Sequence, residues 1–121
     1  MATIKSYSDL KQSKVLSKIL SDDSADMSYK HFVADLLPEG YCISVDKVEY
    51  ETDIPCWSLS ALLSYLKSKN KFPEIKELSD GRFKLTTFIW DGKNSIQVSI
   101  ANDLVDACYE MIIKMHELNL L

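Results

Sequence analysis

The chain has 121 residues, of which 46% are hydrophobic and 26% charged, the usual composition of a globular domain with a real core. Its net charge of −4, with three glycines and three prolines, argues against nonspecific nucleic-acid binding and against long disorder. Neither a run of about 18 apolar residues nor an N-terminal signal sequence is visible, so we expect one cytoplasmic domain over residues 1–121.

Charges and cysteines are unevenly placed. Residues 1–20 carry four lysines and one aspartate, whereas residues 21–54 carry nine acidic side chains and two lysines. Positive charge therefore exceeds negative charge at the start of the chain. Cys42, Cys56 and Cys108 form no CxxC pair, which indicates buried free thiols in a reducing compartment rather than disulfides or a zinc site.

Residues 8–20 have the pattern of a short amphipathic helix with Ser8 as its N-cap. The apolar stripe is thin, so we expect residues 1–26, the helix and the acidic connector after it, to pack as an N-terminal appendage. The lysines of this helix lie away from the stripe and are candidate nucleic-acid contacts, with solvated lysines as the ordinary alternative: Lys11, Lys14 and Lys18.

Two less regular segments follow. In residues 27–37 a strand-like alternation gives way to helical spacing, and we expect a short helix that ends before Pro38, with a strand as the alternative. Residues 41–51 predict a strand. Its alternation shifts by one residue near Asp46, which predicts a bulge or bend there.

The stretch IPCWSLSALLSYL, residues 54–66, gives the clearest local pattern. Its leucines recur at helical spacing and predict a helix over residues 58–67 with Ser58 as the N-cap. Pro55 disfavours helix before it, and Trp57 can pack back on the first turns as a hydrophobic staple does. We interpret Pro55, Trp57 and Ser58 as a structural signature.

A meander over residues 72–100 comes next. The segments 72–78, 82–90 and 95–100 have strand-like alternation, and Asp-Gly pairs stand between them. The chain ends in an apolar-striped helix over residues 103–119, for which Asn102 is the N-cap candidate.

These elements predict an α+β fold. An antiparallel sheet, formed by the strand near 41–51 and the meander 72–100, would pack against helices near 58–67 and 103–119. The N-terminal helix 8–20 would lie outside this unit.

The residues that could carry chemistry form no recognisable set. A nucleophilic Cys56 at a helix start needs a base, and the spacing couples neither His31 nor His116 to it. The histidines form no metal motif, and the aspartates at 22–26 lack the glycine and further ligands of a calcium loop. With glycines only at 40, 81 and 92, no phosphate-binding loop is present, so we expect no cofactor and no enzyme activity.

One face of the predicted strand 82–90 carries the most informative side chains. Lys84, Phe88 and Trp90 alternate onto the same side of this strand. Two neighbouring aromatic residues on a solvent-facing sheet are unusual for a monomer. Either the N-terminal segment covers them, or they form a partner surface.

Three stretches of the chain resemble a known group of proteins: LSKILSDDSADM, PCWSLSALLSYL and NDLVDACYEMIIKMHELNLL. They are similar to small uncharacterised proteins encoded by Bacteroides-type phages, prophages and mobile elements. The resemblance implies an accessory protein that acts inside the bacterial host, and it implies no catalytic residues. Three strands before an acid-started helix also resemble, more loosely, antitoxins of the HicB type.

The order helix, three strands, helix also occurs in double-stranded-RNA-binding domains, but the last helix starts with two aspartates that would repel phosphate. Our leading hypothesis is a non-enzymatic protein-interaction module that binds a protein, or self-associates, through Lys84, Phe88 and Trp90. The first alternative is an antitoxin-like, nucleic-acid-associated regulator using Lys11, Lys14 and Lys18. The second is a small thiol enzyme built on Cys56.

Overall fold

The computed structural model describes residues 5–31, 40–90 and 94–121. Its helices are α1 (Leu10–Leu16), α2 (Leu59–Ser68) and α3 (Leu104–Glu117), with a 3₁₀ turn at Asp22–Ser24. Its strands are β1 (Met27–His31), β2 (Tyr41–Ser44), β3 (Ile54–Cys56), β4 (Glu74–Glu77), β5 (Phe83–Trp90) and β6 (Asn94–Ala101). The α+β class is confirmed.

The strands form two three-stranded antiparallel sheets, not the one sheet expected. The first sheet has the order β2-β1-β3 and the second the order β4-β5-β6. The second sheet is the predicted meander. The strand predicted over 41–51 spans only Tyr41–Ser44 and lies in the first sheet, because β1 takes the place beside it.

The short helix expected within 27–37 is wrong for the described part, and the strand alternative is confirmed there, since Met27–His31 is the central strand of the first sheet. Tertiary contacts decide this segment. Its side chains bond on both faces of the sheet, Tyr29 Oη to the carbonyl of Ser8 and Ser28 Oγ to the carbonyl of Asp46. Residues 32–37 lie outside the described residues.

A bulge or bend was predicted near Asp46, and the bend is confirmed, because the chain bends at Val45 and Asp46 directly after β2. The loop 45–53 then folds over one face of the first sheet. Asp53 organises it. This buried carboxylate accepts the backbone amides of Glu49 and Tyr50 at 2.9 and 3.1 Å and the Lys30 ammonium at 2.7 Å. Burial pushes the pKa of Asp53 upward, but these hydrogen bonds outweigh it and leave the pKa below its ordinary value.

Two of the three expected N-caps are shifted by one residue. Ser58 caps α2 as predicted, and its side-chain oxygen accepts the amide of Ala61 at 3.1 Å. α1 is capped by Asp9 in a capping box with Gln12, not by Ser8, and α3 by Asp103, not by Asn102. α1 is also shorter than 8–20, because it begins after its cap Asp9 and ends at Leu16, with a turn over residues 17–19.

The junction between β3 and α2 holds the N-terminal half together. Trp57 is fully buried, and its indole N–H donates to Ser24 Oγ at 2.9 Å. Its backbone amide donates to Ser8 Oγ at 3.1 Å, and its carbonyl accepts the Ser8 amide at 2.9 Å. Asp26 accepts both the amide and the hydroxyl of Ser58. We name Ser8, Ser24, Asp26, Trp57 and Ser58 the junction cluster.

One apolar cluster extends from this junction to the second sheet. α3 lies between α2 and the strands β5 and β6, and it supplies the largest part of the core. The fully buried apolar side chains of that core include Leu16, Trp57, Leu62, Leu66, Leu85, Val105, Met111, Ile112 and Met115.

Replacing Trp57 by alanine should lower the free energy of unfolding by about 3–5 kcal/mol, because a large buried ring is lost and a cavity remains. Trp57→Phe keeps most of the ring and loses the bond to Ser24, so it should cost about 1–2 kcal/mol. Urea unfolding measures both. Tyr50→Ala, at an exposed aromatic residue, is the control and should stay within about 0.5 kcal/mol of wild type. Equal losses for Trp57→Ala and Tyr50→Ala would contradict the burial of Trp57.

Asp53→Asn should destabilise the protein at neutral pH and much less in acid. The folded-state pKa of Asp53 is depressed, so its stabilisation is present above the ordinary aspartate pKa of about 3.9 and is lost as pH falls through the folded-state value. Urea unfolding of wild type and Asp53→Asn at neutral pH and near pH 3 measures the difference. Glu49→Gln, at an exposed carboxylate near Lys30, is the control. A difference that does not change with pH would refute this account.

Candidate functional site

The second sheet presents one face to α3 and the other to solvent; we call the latter the outer face. Strand pairing arranges its side chains in rows across β4, β5 and β6. One row is Glu74, Thr86 and Val98, the next is Lys76, Lys84 and Ile100, and on the other side Phe88 stands opposite Ile96. The register, continued two residues before β4, puts the position of Phe72 opposite Phe88.

Large apolar side chains are exposed on this face. Phe88 is 56% exposed, Ile96 62% and Ile100 40%, and Val98 between them is half-buried. Phe72 is 55% exposed. Single exposed apolar residues are ordinary, but adjacent ones on a flat sheet form the kind of patch that marks an interaction surface.

The opposite face of the sheet is buried under α3 and is partly polar. Leu85, Thr87 and Ser99 are the buried residues there. Ser99 Oγ donates to the carbonyl of Ala107 in α3 at 2.8 Å, and Thr87 Oγ1 donates to the carbonyl of Lys71 at 3.2 Å. Each buried hydroxyl therefore has a partner, as burial requires.

The described N-terminal segment does not cover Phe88, which was one of the two alternatives. Tyr7 and Ser8 lie against Trp57 and Ser58, and Lys5 Nζ pairs with Asp106 of α3 at 2.6 Å. Lys84, predicted with Phe88, is half-buried on the outer face. Trp90 ends β5, but its side chain lies outside the described residues.

Sequence reasoning missed Ile96, Val98 and Ile100 as members of this surface. Alternation placed them on one face of β6, which would ordinarily be the core face. The contrary signal was the composition of the other face, Gln97, Ser99 and Ala101, whose smaller or polar side chains let a helix approach closely.

Cys56 is fully buried at the junction cluster. Its thiol donates to the carbonyl of Ser8 at 3.4 Å, and burial raises the pKa of that thiol. Cys56 pairs with Met27, four residues from His31 along β1, which is about 13 Å at the strand rise of about 3.3 Å per residue. His31 is therefore too far away to act as a base for the Cys56 thiol.

The two histidines are exposed and far from the junction. His31 lies edge-on to Tyr41, with ring centroids 5.1 Å apart, and His116 lies in the last turn of α3. Within residues 5–31, 40–90 and 94–121, no group of three or more His, Cys, Asp or Glu side chains is arranged to hold a metal ion.

The candidate nucleic-acid residues are exposed but do not form one helical stripe. Lys11 and Lys14 lie in α1, whereas Lys18 follows the end of the helix. The Lys14 ammonium lies 5.8 Å from the centroid of the Tyr41 ring. Asp9, Asp22 and Asp23 flank this region, which reduces the positive potential that phosphate contacts need.

A polar cleft of about 550 Å³ lies between the N-terminal segment and the start of α3. At its centre Asp106 accepts from Lys5 at 2.6 Å and from Gln12 Nε2 at 2.7 Å. Burial pushes the pKa of Asp106 upward, but these bonds outweigh it and leave the pKa below its usual value. These contacts attach residue 5 to α3.

Comparison with protein families, with curated proteins and with solved structures found no match. Among the helices that the structure describes, none has the length and apolar character to cross a membrane. We take the outer face as the candidate functional site because of its exposed, adjacent apolar side chains.

Alkylation of the cysteines should follow their burial. In the native protein Cys42, which is half-buried, should react with iodoacetamide, whereas Cys56 and Cys108 should react only after unfolding in urea. Burial raises the pKa of Cys108 to about 12, which further suppresses its thiolate. Mass spectrometry of peptides labelled at pH 8 measures each site. Native labelling of Cys56 faster than that of a free thiol would instead indicate a reactive site.

Proposed function

We propose that this protein is a non-enzymatic interaction module that binds a folded protein surface through its outer face. The observation that carries the proposal is the exposure of Phe88, Ile96 and Ile100 side by side on a sheet whose other face is buried. Burying such a surface removes apolar area from water at roughly 25 cal/mol per Å², which is the ordinary driving force of protein association.

The composition of the outer face favours protein over nucleic acid. Phe88 and Phe72 could stack on bases, but the β6 half is aliphatic, formed by Ile96, Val98 and Ile100, and offers no ring that would continue such a path. Its charges are Lys76 and Lys84 with Glu74 beside them, in a chain of net charge −4. A single-stranded nucleic acid would need more cations along its path.

The two alternatives have weaker support. The lysines near α1 are divided between a helix and the turn after it, and acidic residues flank them. The thiol-enzyme alternative requires an accessible thiolate at Cys56, whereas that thiol is buried and its pKa is raised.

The resemblance to proteins of Bacteroides-type phages and mobile elements supports an accessory role in the cytoplasm of the bacterial host. An interaction module suits that setting, since such a protein acts by binding rather than by turnover. The cytoplasmic location agrees with the three free cysteines.

A photo-reactive amino acid at position 96 should reveal the bound surface. Purified protein carrying p-benzoylphenylalanine in place of Ile96 is irradiated in a Bacteroides lysate, and adducts are measured by mass. We expect one discrete adduct, because Ile96 lies inside the proposed surface, and we expect Phe88→Asp in the same chain to abolish it. Substitution at exposed positions such as Phe88 should change the free energy of unfolding by only about 0.5 kcal/mol.

The control places the photo-reactive residue at Lys18, which is exposed and remote from the second sheet. An identical adduct pattern from positions 96 and 18, or no adduct from position 96, would overturn the proposed function.

A further inference from the structure

We infer that the outer face binds a second copy of this chain, with the two sheets stacked face to face and their strands antiparallel across a two-fold axis. This inference rests on the proposed function and names its partner. The resulting dimer would have four layers, α3 and the second sheet of one copy followed by the sheet and α3 of the other. Sheets that pack in this way lie about 10 Å apart with their strands within about 30° of each other.

The arrangement of charges and rings on the outer face makes it self-complementary. Lysines occupy one end of it, Lys76 on β4 and Lys84 on β5. Aromatic positions occupy the other end, Phe88 on β5 and the Phe72 position that continues the β4 register. The row of Thr86 and Val98 lies midway between the two ends.

A two-fold axis through that middle row and across the strands reverses the order of the rows. It places Lys84 of one copy over Phe88 of the other, and Lys76 over Phe72, each contact occurring twice. An ammonium over an aromatic ring is attracted by about 0.5–1 kcal/mol at exposed sites and by more when desolvated. The same rotation sets Ile100 against Ile96 and Val98 against its own copy.

The other face-to-face arrangement is electrostatically less favourable. An axis parallel to the strands through β5 would set Lys84 against its own copy, and like charges brought together in a partly buried interface repel each other. In the preferred arrangement the middle row faces its own copy, and its one charged residue is Glu74, at the solvent-exposed β4 margin. There, salt screens the repulsion.

The size of the face sets the strength expected. β5 and β6 have eight residues each and β4 has four, so with strands about 4.8 Å apart the face covers at most about 14 by 26 Å. This is below the roughly 800 Å² per partner of a standard interface, so the dimer should be weak, with a Kd of about 10–100 µM.

Sedimentation equilibrium of the full chain from about 2 to 500 µM tests the dimer in the range where such a Kd is visible. Wild type should move from 13.8 kDa toward twice that mass as concentration rises. Phe88→Asp should weaken association at least about 10-fold, and Lys84→Met about 3- to 10-fold. The matched controls are Tyr50→Asp, an exposed aromatic residue on the loop 45–53, and Lys18→Met; both should dimerise as wild type does.

The orientation is tested separately with Val98→Cys in a Cys42→Ser background. The preferred axis sets the two thiols introduced at position 98 opposite each other between sheets about 10 Å apart, which is too far for an unstrained disulfide, so a short bis-maleimide reagent should give a cross-linked dimer. The axis along the strands would place β4 of one copy over β6 of the other and would give none. A wild type that stays at 13.8 kDa, or a dimer that Phe88→Asp leaves intact, overturns the inference.

Two other outcomes, one a different interface and one a different occupant, also overturn the inference. Lys114 Nζ donates to the carbonyl of Val98 at 3.2 Å, at the free edge of β6 among the described strands. A dimer that Lys114→Met strengthens and Phe88→Asp does not touch would therefore use that edge. Binding of a labelled oligouridine that Phe88→Asp abolishes would identify single-stranded RNA.

The photo-crosslink at position 96 separates this inference from the proposed function. An adduct of twice the chain mass supports both. An adduct with a different protein, together with a monomeric wild type, supports the proposed function and rejects the inferred dimer. The absence of any adduct rejects both the proposed function and the inferred dimer.

Discussion

The fold depends on satisfying the buried polar groups where β3 runs into α2. Only Trp57 and Ser58 separate these elements, so their backbone groups lie inside the protein and must find partners there. Ser8 supplies two of those partners, and Asp26 binds Ser58 at the N-terminus of α2, where a carboxylate is favoured. A buried amide left without its acceptor would cost about 1–3 kcal/mol, so these small polar residues are as necessary as the indole they surround.

That junction also decides what remains exposed. Because Ser6 and Ser8 bond to Leu59 and Trp57, the N-terminal segment is held on the α2 side of the core. Lys5 extends the attachment to α3 through Asp106. The described N-terminal residues, from Lys5 onward, are therefore held away from the second sheet, where Phe88 and Ile96 are exposed.

Sequence patterns predicted the elements whose signals are local. The leucine spacing and Ser58 located α2, and the alternation of residues 82–100 located β5 and β6. Patterns failed where distant contacts decide. Nothing within residues 27–31 reveals that they lie between β2 and β3, and Ser8 has the features of a helix cap until Trp57 is seen beside it. The candidate surface was half found: Phe88 and Lys84 were predicted, whereas the aliphatic residues of β6 were assigned by their alternation alone.

The fold by itself does not explain why β6 carries its apolar side chains on the outer face. α3 lies so close that Ser99 reaches the carbonyl of Ala107, so only small side chains fit at that inward position. This steric constraint at Ser99 does not require the residues of the outer face to be apolar, since Thr86 occupies the same face beside Val98. Threonine at positions 96, 98 and 100 would suit the strand and avoid the aggregation hazard of an apolar sheet face. The side chains present there are instead isoleucine and valine, and a buried interface, as we propose, would account for them.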